Sequence, residues 1–291
     1  MNSAPVTTSV RDRFPDLDAV RQRHQQKFKG DPKSRLQMIT LVGGLIALYL
    51  FGLAYVGVTP MMLISGFGKF GIVVSAMLPP DPGSWENAIT FAKGVIETLS
   101  MAFFGTICAA ILALPFGFLA ARNIVPNSFF HHLARRFLDI IRGIDTLIWA
   151  LIWVGVVGLG PFAGVLAIIT SDFGAFGKLF SETIEAADQK PVEGIIASGG
   201  SRWQSIRFGI VPQILPVLLG QVLYFFESNT RTTTIIGIVG AGGIGLYLTE
   251  TIRTYLWEET SFIIILILIT VAAIDFISSR IRTAIIGVRA V

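Results

Sequence analysis

Few residues in this 291-residue chain could do chemistry, and those that could stand in apolar surroundings. Glu227 and Arg231 are four apart, so on one helix they share a face and can pair. Charge inside a bilayer is expensive, so such a pair reads either as a structural brace or as part of a solute path. Asp145, Asp172 and Asp275 stand near the ends of apolar runs and carry less weight. His131-His132 adjoin Arg135-Arg136 and read as a solvated basic loop; His24 is remote, so no spacing suits a metal site. The run Gly237-x-x-Gly240-x-Gly242-Gly243-x-Gly245 resembles a dinucleotide loop, but that loop works only between a strand and a helix. Its apolar flanks fit close helix packing or a bend instead. Ser198 and Ser201 lack acid–base partners, and no Walker phosphate loop is present. The chemistry on offer is charge pairing and close backbone approach, not bond-making.

The elements that must position these residues follow from the distribution of charge. Charged residues make up 14% of the chain, hydrophobic residues 53%, and the mean hydropathy is +0.68. Soluble domains carry about 25% charged residues, so an ordinary soluble enzyme is excluded. The net charge of +4 would suit nucleic acid only if it formed one patch, and the basic residues are scattered. Cys108 is alone and makes no intrachain disulfide. Residues 36–68, 98–121, 146–171, 208–226, 232–249 and 260–274 carry no charge. About 20 helical residues cross the hydrocarbon core. The gaps therefore predict spans at Met38–Val58, Ile89–Ala121 (kinked at Pro115), Arg142–Val157, Phe162–Phe180, Gly209–Tyr224 and slightly beyond, and Thr260–Ser278. The expected fold is an all-α polytopic membrane protein with about six transmembrane helices.

Orientation comes from the basic residues. Eight Lys or Arg lie in the first 35 residues, and Arg280, Arg282 and Arg289 follow the last span. The positive-inside rule places both termini in the cytoplasm. A seventh complete span at 232–249 would expel the tail, so that glycine-rich stretch reads as a buried, partly re-entrant or broken segment. Residues 1–16 read as disordered and Leu17–Phe28 as a short polar helix, without the apolar core of a secretory signal. The expected organisation is a cytoplasmic arm at 1–35, a first span and external loop at 36–88, a core at 89–280 and a tail at 281–291. Within the core, residues 181–207 form a long cytoplasmic loop. There Pro191 opens a helix with Glu193 in its first turn, Gly199-Gly200 ends it, and Ser201 caps the next. Trp203 and Ile206 should share one side of that next helix, with Arg202 elsewhere.

Glu193-Gly-Ile-Ile-Ala-Ser-Gly199, followed by Ile206, Val211-Pro212 and Leu215-Pro216, resembles the cytoplasmic loop of binding-protein-dependent ABC importer permeases that docks on the ATPase subunit. Gly194 and Ile195 replace that motif's two alanines, and Glu185-Ala186-Ala187 is a decoy by position. Leu114–Asn123, Val157–Gly164, Lys190–Ile195 and Gly240–Gly245 resemble the phosphonate-type branch of these permeases; Ile144-Asp145 departs from it. The resemblance implies a bacterial inner-membrane subunit of an ATP-driven importer for phosphonate or a related phosphorus oxyanion. It implies a homodimer in membrane lipid, two ABC ATPase subunits that carry ATP and Mg, and a periplasmic substrate-binding protein. No cofactor on this chain and no nucleic acid are expected. Glu193, Gly199, Gly200, Ser201, Arg202, Trp203 and Arg207 then become coupling residues. Gly240, Gly242, Gly243 and Gly245 become packing or gate positions beside the pore, and Arg231 a possible oxyanion contact. The other readings are a permease of this class for an amino acid, an ion-coupled secondary transporter, a membrane enzyme and a scaffold.

Overall fold

The computed structural model describes residues 32–57, 59–125 and 127–286. The expectations for residues 1–31, including the short helix at 17–28, and for Arg289 lie outside the described residues. All regular structure described is helical. Residues up to Ile72 and from Val73 onward form two units. The first holds α1 (Pro32–Val56), exposed along nearly its whole length, and most of α2 (Pro60–Ala76).

The second unit is a bundle built on α3 (Trp85–Leu119) and α6 (Pro161–Glu185). Pro115 stays inside α3 without ending it. Small residues let the two helices approach closely: a Cβ at Gly105 would stand 2.7 Å from Ile168, and one at Gly117 2.7 Å from Phe180. These pairs advance in step, so α3 and α6 run parallel. Between them come α4 (Ser128–Arg142) and α5 (Thr146–Val157), bent from each other by 82°. The predicted span Arg142–Val157 is corrected here. Arg142 ends α4, and the Asp145 carboxylate caps α5 by accepting from the Leu147 N–H. At 12 residues α5 is about 18 Å long, too short to cross alone. Arg135 meets Glu185, Asp139 meets Lys178 and Thr146 meets Ser171, so α4 and α5 follow α6 in antiparallel order. Among the described residues five helices are long and apolar enough to cross, or six with this bent pair.

After α7 (Lys190–Ala197) and α8 (Arg202–Gln204), a π-helical stretch at Ser205–Ile210 leads into α9 (Val211–Ile236). The fifth span therefore runs well past Tyr224. Gln221 bonds Thr183, Phe225 packs on Phe176, and Asn229 bonds Asp172, so α9 is antiparallel to α6. Residues 232–236 complete α9, a π-helical turn at Gly237–Ala241 breaks it, and α10 (Ile244–Arg253) is too short to span. The glycine-rich stretch is thus a broken segment, as its composition suggests. Finally α11 (Trp257–Ile286) returns beside α9, with Ser278 on Leu223 and Asp275 on Arg231. Its C-terminal end lies at the same end of the bundle as Glu185 and α7; residues 281–286, expected as tail, are still helix.

Candidate coupling turn and half-height polar site

Local sequence rules build the turn between α7 and α8. Gly199 has φ +83°, which glycine adopts without penalty. Its neighbour Gly200 donates its N–H to the Ile195 carbonyl at 2.9 Å, and a Cβ there would stand 2.7 Å from that oxygen. Ser201 caps α8 in a reciprocal box: Ser201 N–H donates to Gln204 Oε1 at 2.7 Å, and Gln204 N–H returns to Ser201 Oγ. Val192 and Ile195 rest on Gly209 in the π-helical stretch before α9. That packing leaves Glu193, Ile196, Trp203, Arg207 and Phe208 exposed on one protruding turn. Trp203 is 81% exposed.

Arg202 does not lie apart from Trp203 and Ile206. All three line one open cavity of about 770 Å³ with Pro115, Phe118, Leu119, Ile124 and Val125 at the end of α3. The guanidinium donates to the Ile124 carbonyl, and the π-helical stretch after Gln204 changes the phase of the faces. Beside the turn, Glu185 joins the end of α6 to the segment after α3 and to the middle of α4. Its oxygens accept from the Arg122 backbone N–H at 2.7 Å and from Arg135 Nη2 at 2.8 Å, while Asn123 donates to the Ile184 carbonyl. The glutamate set aside as a decoy is therefore the tie between α3, α4 and α6.

At half the height of the bundle lies a polar cluster that sequence reasoning missed. Asn229 Nδ2 donates to Asp172 and to Thr106 Oγ1, joining α9, α6 and α3; all three residues are buried. Asp172 lies in the middle of α6, not near a span end. Half a helical turn on, Arg231 pairs with Glu227 as its spacing predicts, at 3.6 Å, and more closely with both oxygens of Asp275 at 3.1 Å. Arg282 completes the row at 3.3 Å from Glu227. Asp275 and Arg282 are far away in sequence, so no local spacing announces them.

The glycine elbow closes the opposite end of α9. Gly240, Gly242 and Gly243 all have positive φ, and the Gly160 N–H donates to the Gly240 carbonyl at 3.0 Å. Glu97 and Thr98 of α3 accept from the N–H groups of Gly243 and Ile244, each at 2.9 Å, so α3 caps α10. A Cβ on Gly245 would run into the Thr234 carbonyl. Each of the four predicted glycines thus sits where a Cβ would collide with a neighbour, Leu159, Glu97, Thr98 and the Thr234 carbonyl in turn.

Residues 113–286 match the family described as binding-protein-dependent transport system inner membrane component. A putative phosphite transport system permease protein of Stutzerimonas stutzeri is 41% identical over 225 residues, 77% of this chain and 79% of that protein. A putative cryptic phosphonate transport system permease protein of Escherichia coli is 44% identical over 118 residues, 40% of this chain and 97% of that protein. The inward-facing MetNI methionine ABC transporter shares the fold, with a TM-score of 0.60 at 22% identity across 69% of this chain and 99% of that one. An all-helical bundle of five or six crossings and a match over most of its length agree: the chain belongs to the binding-protein-dependent transport system inner membrane component family, the multi-pass inner-membrane permeases that serve ABC importers with an ATPase and a substrate-binding protein.

Proposed function

We propose that this chain forms the membrane path of an ATP-driven importer for phosphonate or a related phosphorus oxyanion such as phosphite. The observation that carries the substrate is the 41% identity, over 79% of its length, to a protein named for phosphite transport. In this reading ATP and Mg sit on the partner ATPase subunits, a placement supported by the lack of a Walker phosphate loop in the sequence. Two copies of the chain enclose the path, and two ATPase subunits each receive one α7–α8 turn. Exposed Trp203, Ile196 and Phe208, with exposed Glu193 and Arg207, offer the apolar and charged groups that suit a protein contact. The turn and both termini face the cytoplasm, supported by the eight basic residues before the first span and by Arg280 and Arg282 near the end of α11. ATP-driven closure of the ATPase pair pulls on the turns, and the α9 elbow transmits the movement to the opposite end.

The test is a complex of this chain with its ATPase, carrying Trp203→Cys for crosslinking. Crosslinks to the ATPase, together with uptake of phosphite or methylphosphonate supplied on the binding protein, support the reading. A turn that reaches only the binding protein overturns the orientation.

A further inference from the structure

Arg231, Asp275, Glu227 and Arg282 form one alternating row of charge between α9 and α11. Its height is set by its neighbours. Asn229 sits opposite Asp172, at the middle of the 25-residue α6, and Arg231 lies half a turn further. Arg231 and Asp275 therefore lie away from both ends of the bundle, whereas Arg282 reaches Glu227 from near the end of α11. Its members are unequally covered: the Glu227 side chain is 14% exposed, whereas those of Arg231 and Asp275 are 46% and 40% exposed. A guanidinium half open to hydrocarbon at that depth is expensive, so this face calls for polar surroundings such as a water-lined path. Tyr224 and Ser228 precede Arg231 by seven and three residues and share its face of α9.

We propose that Arg231 is the transit contact for the substrate oxyanion and that Asp275 is its built-in competitor. The inference rests on the importer reading above. In the structure both Nη1 bonds of Arg231 go to Asp275 at 3.1 Å, while the longer 3.6 Å contact to Glu227 leaves Nη2 the more available. A phosphorus oxyanion offers two oxygens to the same fork. Glu227, held by Arg282 at 3.3 Å, stands 3.6 Å from the second fork nitrogen and keeps the guanidinium close by while Nη1 exchanges partners. The row carries two positive and two negative groups, so an arriving anion meets no surplus of positive charge. Capture is therefore weak, and Asp275 reclaims the fork when the anion leaves. Weak, reversible contact is what a path needs.

The experiment uses the whole importer in liposomes, with phosphite on its binding protein as the probe. Asp275→Asn removes the competitor: the expected result is a KM for phosphite lower by about tenfold with slower maximal uptake, since one charge-assisted hydrogen bond changes sides. The double variant Arg231→Gln with Asp275→Asn keeps a neutral hydrogen-bonded pair. It should assemble normally and retain binding-protein-stimulated ATP hydrolysis, yet lose phosphite uptake by about tenfold or more. Wild-type uptake by the double variant makes the row a structural brace and overturns the proposal. If Asp275→Asn assembles poorly, the double variant alone decides. Failure of the wild-type complex to transport any phosphorus oxyanion would overturn the importer reading instead, which separates the two failures.

Discussion

Glu185 holds Arg135 at 2.8 Å from the last turn of α6, and its second oxygen accepts the Arg122 backbone N–H at 2.7 Å. One carboxylate thus ties the end of α6 to the segment after α3 and to the middle of α4. The two side chains are only about a quarter exposed (26% and 25%), so solvent screens the pair partly. Glu185→Gln keeps the shape and removes the charge. The expected loss is about 1–2 kcal/mol after discounting for that screening, seen as a lower unfolding temperature of the purified protein. An unchanged unfolding temperature would remove Glu185 from this fastening role.

The two glycines of the turn should respond differently. A Cβ at Gly199 meets open space but at φ +83°, so Gly199→Asn should be mild and Gly199→Val should strain the turn by about 1–2 kcal/mol. At Gly200 a Cβ meets the Ile195 carbonyl, so even Gly200→Ala displaces α8. Substrate-stimulated ATP hydrolysis at equal membrane insertion is the readout. Normal stimulation in both Gly199→Val and Gly200→Ala would mean that the turn does not couple.

Much of this was legible before the structure, where local rules decide. Pro191, Gly199-Gly200 and Ser201 mark their turn because each acts on its immediate neighbours. Gaps in charge find α3, α6 and α11 because lipid penalises charge. The same rule cuts the fifth span short at Glu227, since it does not see that Asp275 and Arg282 on another helix neutralise the row. Nor does spacing reveal the Asn229 cluster, whose partners lie 57 and 123 residues away. Arg142 illustrates the remaining error. A charge at a gap's edge marks a boundary, but whether a helix starts or stops there depends on Asp145 capping the next one.

The buried cluster gives a double-mutant test. Asn229→Leu leaves the Asp172 carboxylate and Thr106 hydroxyl without that donor, and destabilisation by about 1–3 kcal/mol is expected. Adding Asp172→Leu removes the stranded acceptor and should recover part of the loss. Thermal unfolding of the detergent-solubilised protein measures both. Strictly additive losses would show that the two residues act independently.

At the elbow, Gly245→Ala should prevent correct assembly, because its Cβ collides with the Thr234 carbonyl inside close helix packing. Gly155→Ala on α5 is the control, with nothing within 4 Å of its Cβ. Yield of monodisperse protein after solubilisation compares them. Equal yields would show that the elbow tolerates separation of its two strands of backbone.

Solute uptake tests the central claim most directly. Proteoliposomes containing this chain and its ATPase, with ATP inside and the binding protein outside, are offered methylphosphonate, phosphite, phosphate and methionine in turn. The account predicts ATP-dependent accumulation of methylphosphonate or phosphite and none of methionine. Accumulation of methionine without any phosphorus compound would contradict the substrate assignment, and uptake that proceeds without ATP would contradict the importer itself.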